Sequence, residues 1–244
     1  MCTVSWIYQG AGYQLFCNRD EKHTRRPASK PQVLRRGGMR FLAPSDGDFG
    51  GTWIAVNESG LSLALLNRGP GSPAQLSRGL FVMNLIASPT LPDVTERFAA
   101  SDLTDFAPFT LLALAPGLPA AMLTWDGREP GIVADADRHM PLVSSSVDPA
   151  GCKSQRRATL ERIRAKSPAL GPGALLAFHR SHSPQPGAHS VCMHRDDAET
   201  VSFTWVTVDG VGANMYYAAG SPCRSLAGES LSLALCGTPQ TQYA

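Results

Sequence analysis

The sequence predicts an α+β fold in which two sheets pack between helical layers. Three observations predict it. Two hairpins open the chain, helical stretches follow them, and the last third returns to strands. The strands of the second hairpin are apolar on both faces, as in a sheet covered on both sides. Helices with an apolar stripe must bury that stripe against such a sheet.

The first hairpin pairs Thr3-Val4-Ser5-Trp6-Ile7-Tyr8 with Tyr13-Gln14-Leu15-Phe16-Cys17. The segment between them, Gln9-Gly10-Ala11-Gly12, supplies glycines that tolerate positive φ in a tight turn. With Gly10 and Ala11 central, paired positions sum to 21 and Cys2 faces Arg19. A slip of one residue would turn every side chain to the other face. Residues 22–50 are rich in Arg, Pro, Gly and Asp and read as a long loop. Thr52–Asn57 and Leu61–Asn67 form the second hairpin around Glu58-Ser59-Gly60. Arg68-Gly69-Pro70-Gly71-Ser72-Pro73 is a break.

Leu76–Ala87 reads as a helix, and Pro92–Ala100 as another with proline at its first position. Strands return at Phe109–Ala115, Ala120–Trp125 and Ile132–Ala134, with turns at Gly117 and Asp126-Gly127. Ser154–Lys166 reads as a helix, followed by proline punctuation over Ser167–Gly173. Ser190–His194, Thr200–Val208 and Asn214–Ala218 read as strands of a meander. Glu229–Cys236 fits helix or strand equally.

With 244 residues, 43% of them hydrophobic, residues 1–244 read as one domain with a sizeable core. The formal net charge of +2 selects no charged partner. The basic cluster Arg25-Arg26, Lys30, Arg35-Arg36 and Arg40 lacks interleaved aromatics that would stack bases, so no nucleic acid is expected. No apolar run approaches the roughly 20 residues of a membrane span. No basic segment followed by an apolar one marks a secretory signal. The six cysteines form no C-x-x-C pair, which removes the usual zinc and redox signatures. Free thiols in the cytoplasm are expected.

Cys2 stands directly behind the initiator. Removal of Met1 would free an α-amine with a pKa of about 7.7–8.0 beside the thiol. One residue would then supply nucleophile and base. Arg19 can favour the thiolate, and Asp20 can hold the ammonium form or orient the arginine. Asn57 and Asn67, ending the strands of the second hairpin, can offer hydrogen-bond donors. Ser144-Ser145-Ser146 can form part of an oxyanion hole. His179, His182, His189 and His194 crowd one stretch, but their spacing matches no metal motif. They read as loop and strand histidines, and no metal is expected. Asp46-Gly47-Asp48 lacks the remaining ligands of a calcium loop.

Met1-Cys2-Thr3 with Asn18-Arg19-Asp20-Glu21 resembles the NRDE family, also called the transport and Golgi organisation protein 2 family. Gly50-Gly51-Thr52-Trp53-Ile54-Ala55-Val56-Asn57, Gly60, Leu66-Asn67-Arg68 and Ser77-Arg78-Gly79-Leu80 extend the match. The family in turn looks like N-terminal nucleophile (Ntn) hydrolases, and the order Cys2…Arg19-Asp20 is similar to that of bile-salt and penicillin V amidases. The resemblance implies a four-layer αββα Ntn-hydrolase-like sandwich, exposure of Cys2 by processing, and hydrolysis of a linear amide.

On this reading Cys2, Arg19, Asp20 and Asn67 are catalytic. Asn18, Glu21, Trp53, Asn57, Ser144 and Ser145 contact a small-molecule amide, and no cofactor is needed. The family's link to haem mobilisation and lipid metabolism implies the alternative: a non-catalytic carrier of haem or an acyl lipid using the same cleft.

Overall fold

The computed structural model describes residues 2–69 and 75–236. Residues 70–74, most of the expected break after Arg68, lie outside the described residues, as does Met1. Among the described residues, thirteen strands build two antiparallel sheets. The six-stranded sheet runs β10 (Leu142–Ser144), β1 (Cys2–Gln9), β2 (Gly12–Lys22), β11 (Ala198–Val208), β12 (Gly212–Ala219), β13 (Glu229–Ala234). The seven-stranded sheet runs in chain order, β3 (Ser29–Arg36), β4 (Met39–Ser45), β5 (Ile54–Asn57), β6 (Ser62–Asn67), β7 (Phe109–Leu114), β8 (Ala121–Trp125), β9 (Pro130–Val133).

The first hairpin has the expected register. Gln9 pairs with Gly12, Tyr8 with Tyr13, and Cys2 with Arg19. Gly10 takes φ +59°, the positive value that the first central residue of a two-residue turn requires. Alternation then sorts β2 into two faces. Leu15 and Cys17 join Cys2, Val4 and Trp6 in the large core that also contains Leu63 and Leu65 of the second sheet. Phe16 points the other way, into a second core with Leu160, Leu175, Phe178, Val191 and Phe203.

Helices α1 (Arg78–Leu85) and α2 (Leu91–Ala99) lie against strands β5 to β8. The Thr90 hydroxyl and the Asp93 carboxylate close a reciprocal capping box at the start of α2. Helix α3 (Pro149–Lys166) packs on β10, and α4 (Pro172–His179) on β1 and β2. The stripe Cys152, Arg156, Thr159, Leu160 is the buried face of α3. Each fully buried Phe or Leu in these interfaces contributes about 1.5–3 kcal/mol. No described helix is long and apolar enough to cross a membrane.

Four expectations are corrected. Residues 22–50 are not a loop but contain the β3–β4 hairpin, turned by Gly37 and Gly38 at φ +55° and +86°. As an edge strand, β3 carries Lys30, Pro31, Arg35 and Arg36, residues that guard an open edge and mimic loop composition. Ser167–Gly173 does not only punctuate: Pro172 opens α4, where its missing N–H costs nothing. Helix α3 begins at Pro149, before the expected Ser154, because the Asp148 carboxylate caps Gly151 N at 3.0 Å. Ser190–His194 is irregular, joined to β11 through the bridge between His194 and Glu199. The ambiguous tail is strand β13.

Candidate active site

Cys2 begins β1 between two neighbours, β2 and β10. Its backbone faces Arg19 on one side and Ser144 on the other. Its backbone N donates to Ser144 Oγ at 2.9 Å. The thiol is buried, and Cys17 lies diagonally across the hairpin on the same face. Cys17 S–H hydrogen-bonds to the Cys2 sulfur, which lowers the Cys2 pKa against the opposing cost of burial; Arg19 helps and Asp20 opposes. The same hydrogen bond and burial push Cys17 well above the ordinary thiol value. Within this pair the Cys2 thiol is the one shifted toward ionisation.

Arg19 is fixed on three sides. Its Nη2 donates to Asp46 Oδ2 at 2.5 Å and lies 3.5 Å from Glu21 Oε2. Its guanidinium sits 4.3 Å from the centroid of the Trp53 ring. Asp46 also pairs with Arg25, whose guanidinium covers Phe49 at 4.7 Å. Burial raises the Asp46 pKa, but the backbone N–H groups of Asp48 and Phe49 and the two arginines outweigh it and hold the carboxyl below its usual value.

Asp20 leaves the strand toward the helices. Its Oδ1 accepts from the Thr200 hydroxyl at 2.7 Å. Its Oδ2 meets Arg156 Nη1 at 3.3 Å, with both side chains fully buried. Arg156 also donates to Thr3 Oγ1 and, at 3.1 Å, to Ala188 O.

These residues open onto a cavity of about 450 Å³ lined by Cys2, Arg19, Asp20, Trp53, Asn67 and Arg78 among others. An adjoining cavity of about 210 Å³ shares Asp20, Glu21, Asn67 and Arg78, and adds Ser144, Ser145 and Ser146. Of the expected residues, Cys2, Arg19, Asp20, Glu21, Trp53, Asn67, Ser144 and Ser145 are thus brought together.

Asn18 and Asn57 are not. Asn18 faces α4, where its Nδ2 donates to His179 O and Val191 O and its Oδ1 meets His179 Nδ1 at 3.0 Å. Asn57 closes its own turn: Oδ1 accepts from Ser59 N and Leu61 N, and Nδ2 reaches Ile86 O and Ser88 O.

Sequence reasoning missed Cys17, Asp46, Arg78 and Arg156. Arg78 lines both cavities, donates to Pro108 O at 3.0 Å, and has no ion pair among the described residues. Burial lowers its pKa. It is carried there by a close contact between two of the matching segments. A Cβ on Gly79 would sit 2.8 Å from Thr52 N, and one on Gly51 would sit 2.5 Å from Gly79 C. Only glycine lets α1 approach the segment leading into β5 this closely.

The sequence pattern of the family described as Transport and Golgi organisation 2 matches residues 1–134. No curated protein matches the chain. Among solved structures, a penicillin V acylase from Agrobacterium tumefaciens is similar over 96% of this chain and 86% of its own, at 12% identity and TM-score 0.59. A conjugated bile acid hydrolase from Clostridium perfringens matches over 96% and 92%, at 10% identity and TM-score 0.58. A Caenorhabditis elegans orthologue of N-acylethanolamine-hydrolyzing acid amidase matches over 83% and 91%, at 12% identity and TM-score 0.56. At such identities the likeness is one of fold, and the fold is Ntn-hydrolase-like.

Proposed function

Because the chain belongs to the Transport and Golgi organisation 2 family, we propose that its Ntn-hydrolase-like fold serves a cysteine amidohydrolase acting on a linear amide. The helices α1 and α2 on one sheet and α3 and α4 on the other fit the four-layer αββα arrangement of such an enzyme. The observation that carries the reading is Cys2, placed opposite Arg19 at the wall of the larger cavity, with Cys17 beside it on the same face.

The reaction begins once processing removes Met1. The Cys2 thiolate attacks the amide carbonyl carbon, and the carbonyl π electrons move to oxygen. The Asn67 side-chain amide offers a donor to that oxyanion from the cavity wall. The C–N bond breaks as the leaving nitrogen takes a proton from the Cys2 ammonium, leaving a thioester. Water adds to the thioester while the α-amine takes its proton, and the acid leaves with Cys2 regenerated. The sum is amide plus water to carboxylic acid plus amine.

Ser144 Oγ orients the amine, and the buried Asp20–Arg156 pair supports it from behind. Arg19 is already engaged by Asp46 and Trp53, so it stabilises the thiolate. Arg78, which pairs with no carboxylate among the described residues, is the guanidinium better placed for an acidic group of the substrate. The protein is read as acting in the cytoplasm without a cofactor.

The carrier alternative gains less support. Three arginines and three carboxylates line the larger cavity, and neither a histidine nor a methionine lines either cavity among the described residues. That wall offers no imidazole or thioether to ligate a haem iron.

The test is turnover of a panel of N-acyl amides, with intact-protein mass spectrometry. Loss of Met1, a transient acyl adduct on Cys2, and turnover abolished in Cys2→Ala with an unchanged melt are expected. Turnover undiminished in Cys2→Ala would falsify the mechanism. Retained Met1 with a haem Soret band and no turnover would replace it with the carrier.

A further inference from the structure

We propose that His182, Cys192, His194 and Cys223 form a closed tetrahedral zinc site that staples two loops behind the candidate active site. One ligand atom from each residue falls within 4.8 Å of all the others. In a zinc tetrahedron with Zn–S of about 2.3 Å and Zn–N of about 2.0–2.1 Å, neighbouring donors stand roughly 3.3–3.8 Å apart. His194 Nε2 is already 3.2 Å from Cys223 Sγ and 3.6 Å from Cys192 Sγ. The His182 and His194 rings meet edge-on, with centroids 5.0 Å apart. His182 Nε2 is buried and has no hydrogen-bond partner among the described residues. A buried imidazole nitrogen left without a partner is costly unless something occupies it.

The surroundings also fit. Glu199 Oε2 stands 3.4 Å from His194 Nδ1, the nitrogen turned away from the cluster. A carboxylate on the far nitrogen fixes the tautomer and makes the near nitrogen a better ligand. Glu199 is held in turn by Arg224 Nη1 at 2.9 Å. Two sulfurs and two imidazoles with no open position select zinc in a structural role rather than a catalytic one.

The site joins two connections that are distant in sequence. His182, Cys192 and His194 belong to residues 180–197, between α4 and β11, and Cys223 to the connection between β12 and β13. The first connection backs the candidate active site directly. Val191 O holds Asn18, Ala188 O holds Arg156, and Met193 N donates to Thr200 Oγ1, which donates to Asp20. A metal at this cluster would fix the segment that fixes Asp20. The inference stands apart from the hydrolase reading, because it needs no turnover.

The experiment is metal analysis of the tag-free, reduced protein. One zinc per chain is expected. Replacement by cobalt should give the visible bands of tetrahedral coordination with a near-ultraviolet thiolate charge-transfer band. Cys223→Ser and His194→Gln should lose the metal. Glu199→Gln should weaken zinc about 10–100-fold in competition with a chelator. Should a variant not fold, the wild-type chain still decides: zinc should protect Cys192 and Cys223 from alkylation, and chelation should expose them. Absence of bound zinc with both thiols alkylated equally with and without added zinc overturns the site, as does full zinc retention in folded Cys223→Ser and His194→Gln.

Discussion

Asp20 and Arg156 form an ion pair at 3.3 Å in which neither side chain is exposed. It ties β2 to α3 directly behind Cys2. Thr200, Thr3 and Ala188 supply the further hydrogen bonds that a buried pair needs. Removing one partner should therefore cost far more than removing both. Arg156→Met is expected to destabilise by about 3–5 kcal/mol, because it leaves a buried carboxylate uncompensated. Asp20→Asn with Arg156→Met should recover a large part of that loss. Urea melts of the two variants decide it: equal stabilities would mean that the pair is not the source.

The Cys17 thiol makes a separate, kinetic prediction. Its S–H stabilises the charged form of Cys2, so deleting it should raise the Cys2 pKa. In Cys17→Ala the pH midpoint of Cys2 alkylation should move up, because the contact that lowers the Cys2 pKa is gone. Cys17→Ser keeps a donor and should move it less. A midpoint identical in wild type and Cys17→Ala would remove Cys17 from the site.

The reach of the sequence can be followed residue by residue. The Cys2–Arg19 pairing was legible because one glycine turn sets the register of the whole hairpin. The same alternation, carried one step further, places Asn18 and Asp20 on the opposite face, toward α3 and α4. That signal was present and would have moved Asn18 out of the site. Strand β3 hid because edge-guarding Lys, Pro and Arg look like a loop. Helix α4 hid because Gly171-Pro172-Gly173 looks like a break. Arg156 has no local signature, and Asp46, although it closes a local turn with Asp48 and Phe49, meets Arg19 only through tertiary packing. The same holds for His182, Cys192, His194 and Cys223, whose uneven spacing matches no motif although the fold gathers them.

The glycine contact beneath Arg78 predicts a packing defect. A methyl group on Gly79 would stand 2.8 Å from Thr52 N and 3.0 Å from Gly51 C, both backbone atoms that cannot swing aside. Gly79→Ala should force α1 off the Gly51-Thr52 backbone at a cost of about 1–3 kcal/mol and carry Arg78 away from the cavity. A raised KM for acidic substrates alongside the lower melt is expected. If Gly79→Ala melts with the wild type, the close approach is not required.

His179 should make stability fall in mild acid. Its Nε2 meets Ser5 Oγ at 2.8 Å and its Nδ1 meets Asn18 Oδ1 at 3.0 Å. The Asn18 oxygen can only accept, so Nδ1 carries the proton and Nε2 accepts from Ser5. A second proton would have no place. Burial, with Arg156 nearby, pushes the imidazole down to about 3. The unfolded chain takes up that proton near pH 6.5, so between about 6.5 and 3 the unfolded state binds more protons than the folded one. The contribution is complete above about pH 6.5. It declines by up to roughly 1.4 kcal/mol per pH unit as the pH falls, until the folded value is reached. Comparing urea midpoints at pH 7 and pH 5 in wild type and His179→Gln isolates this from other groups. The wild type should lose about 2 kcal/mol more than the variant over that interval. An NMR titration gives a second reading, with the His179 ring still neutral at pH 5. A His179 ring that protonates near pH 6.5 in the folded protein contradicts the prediction.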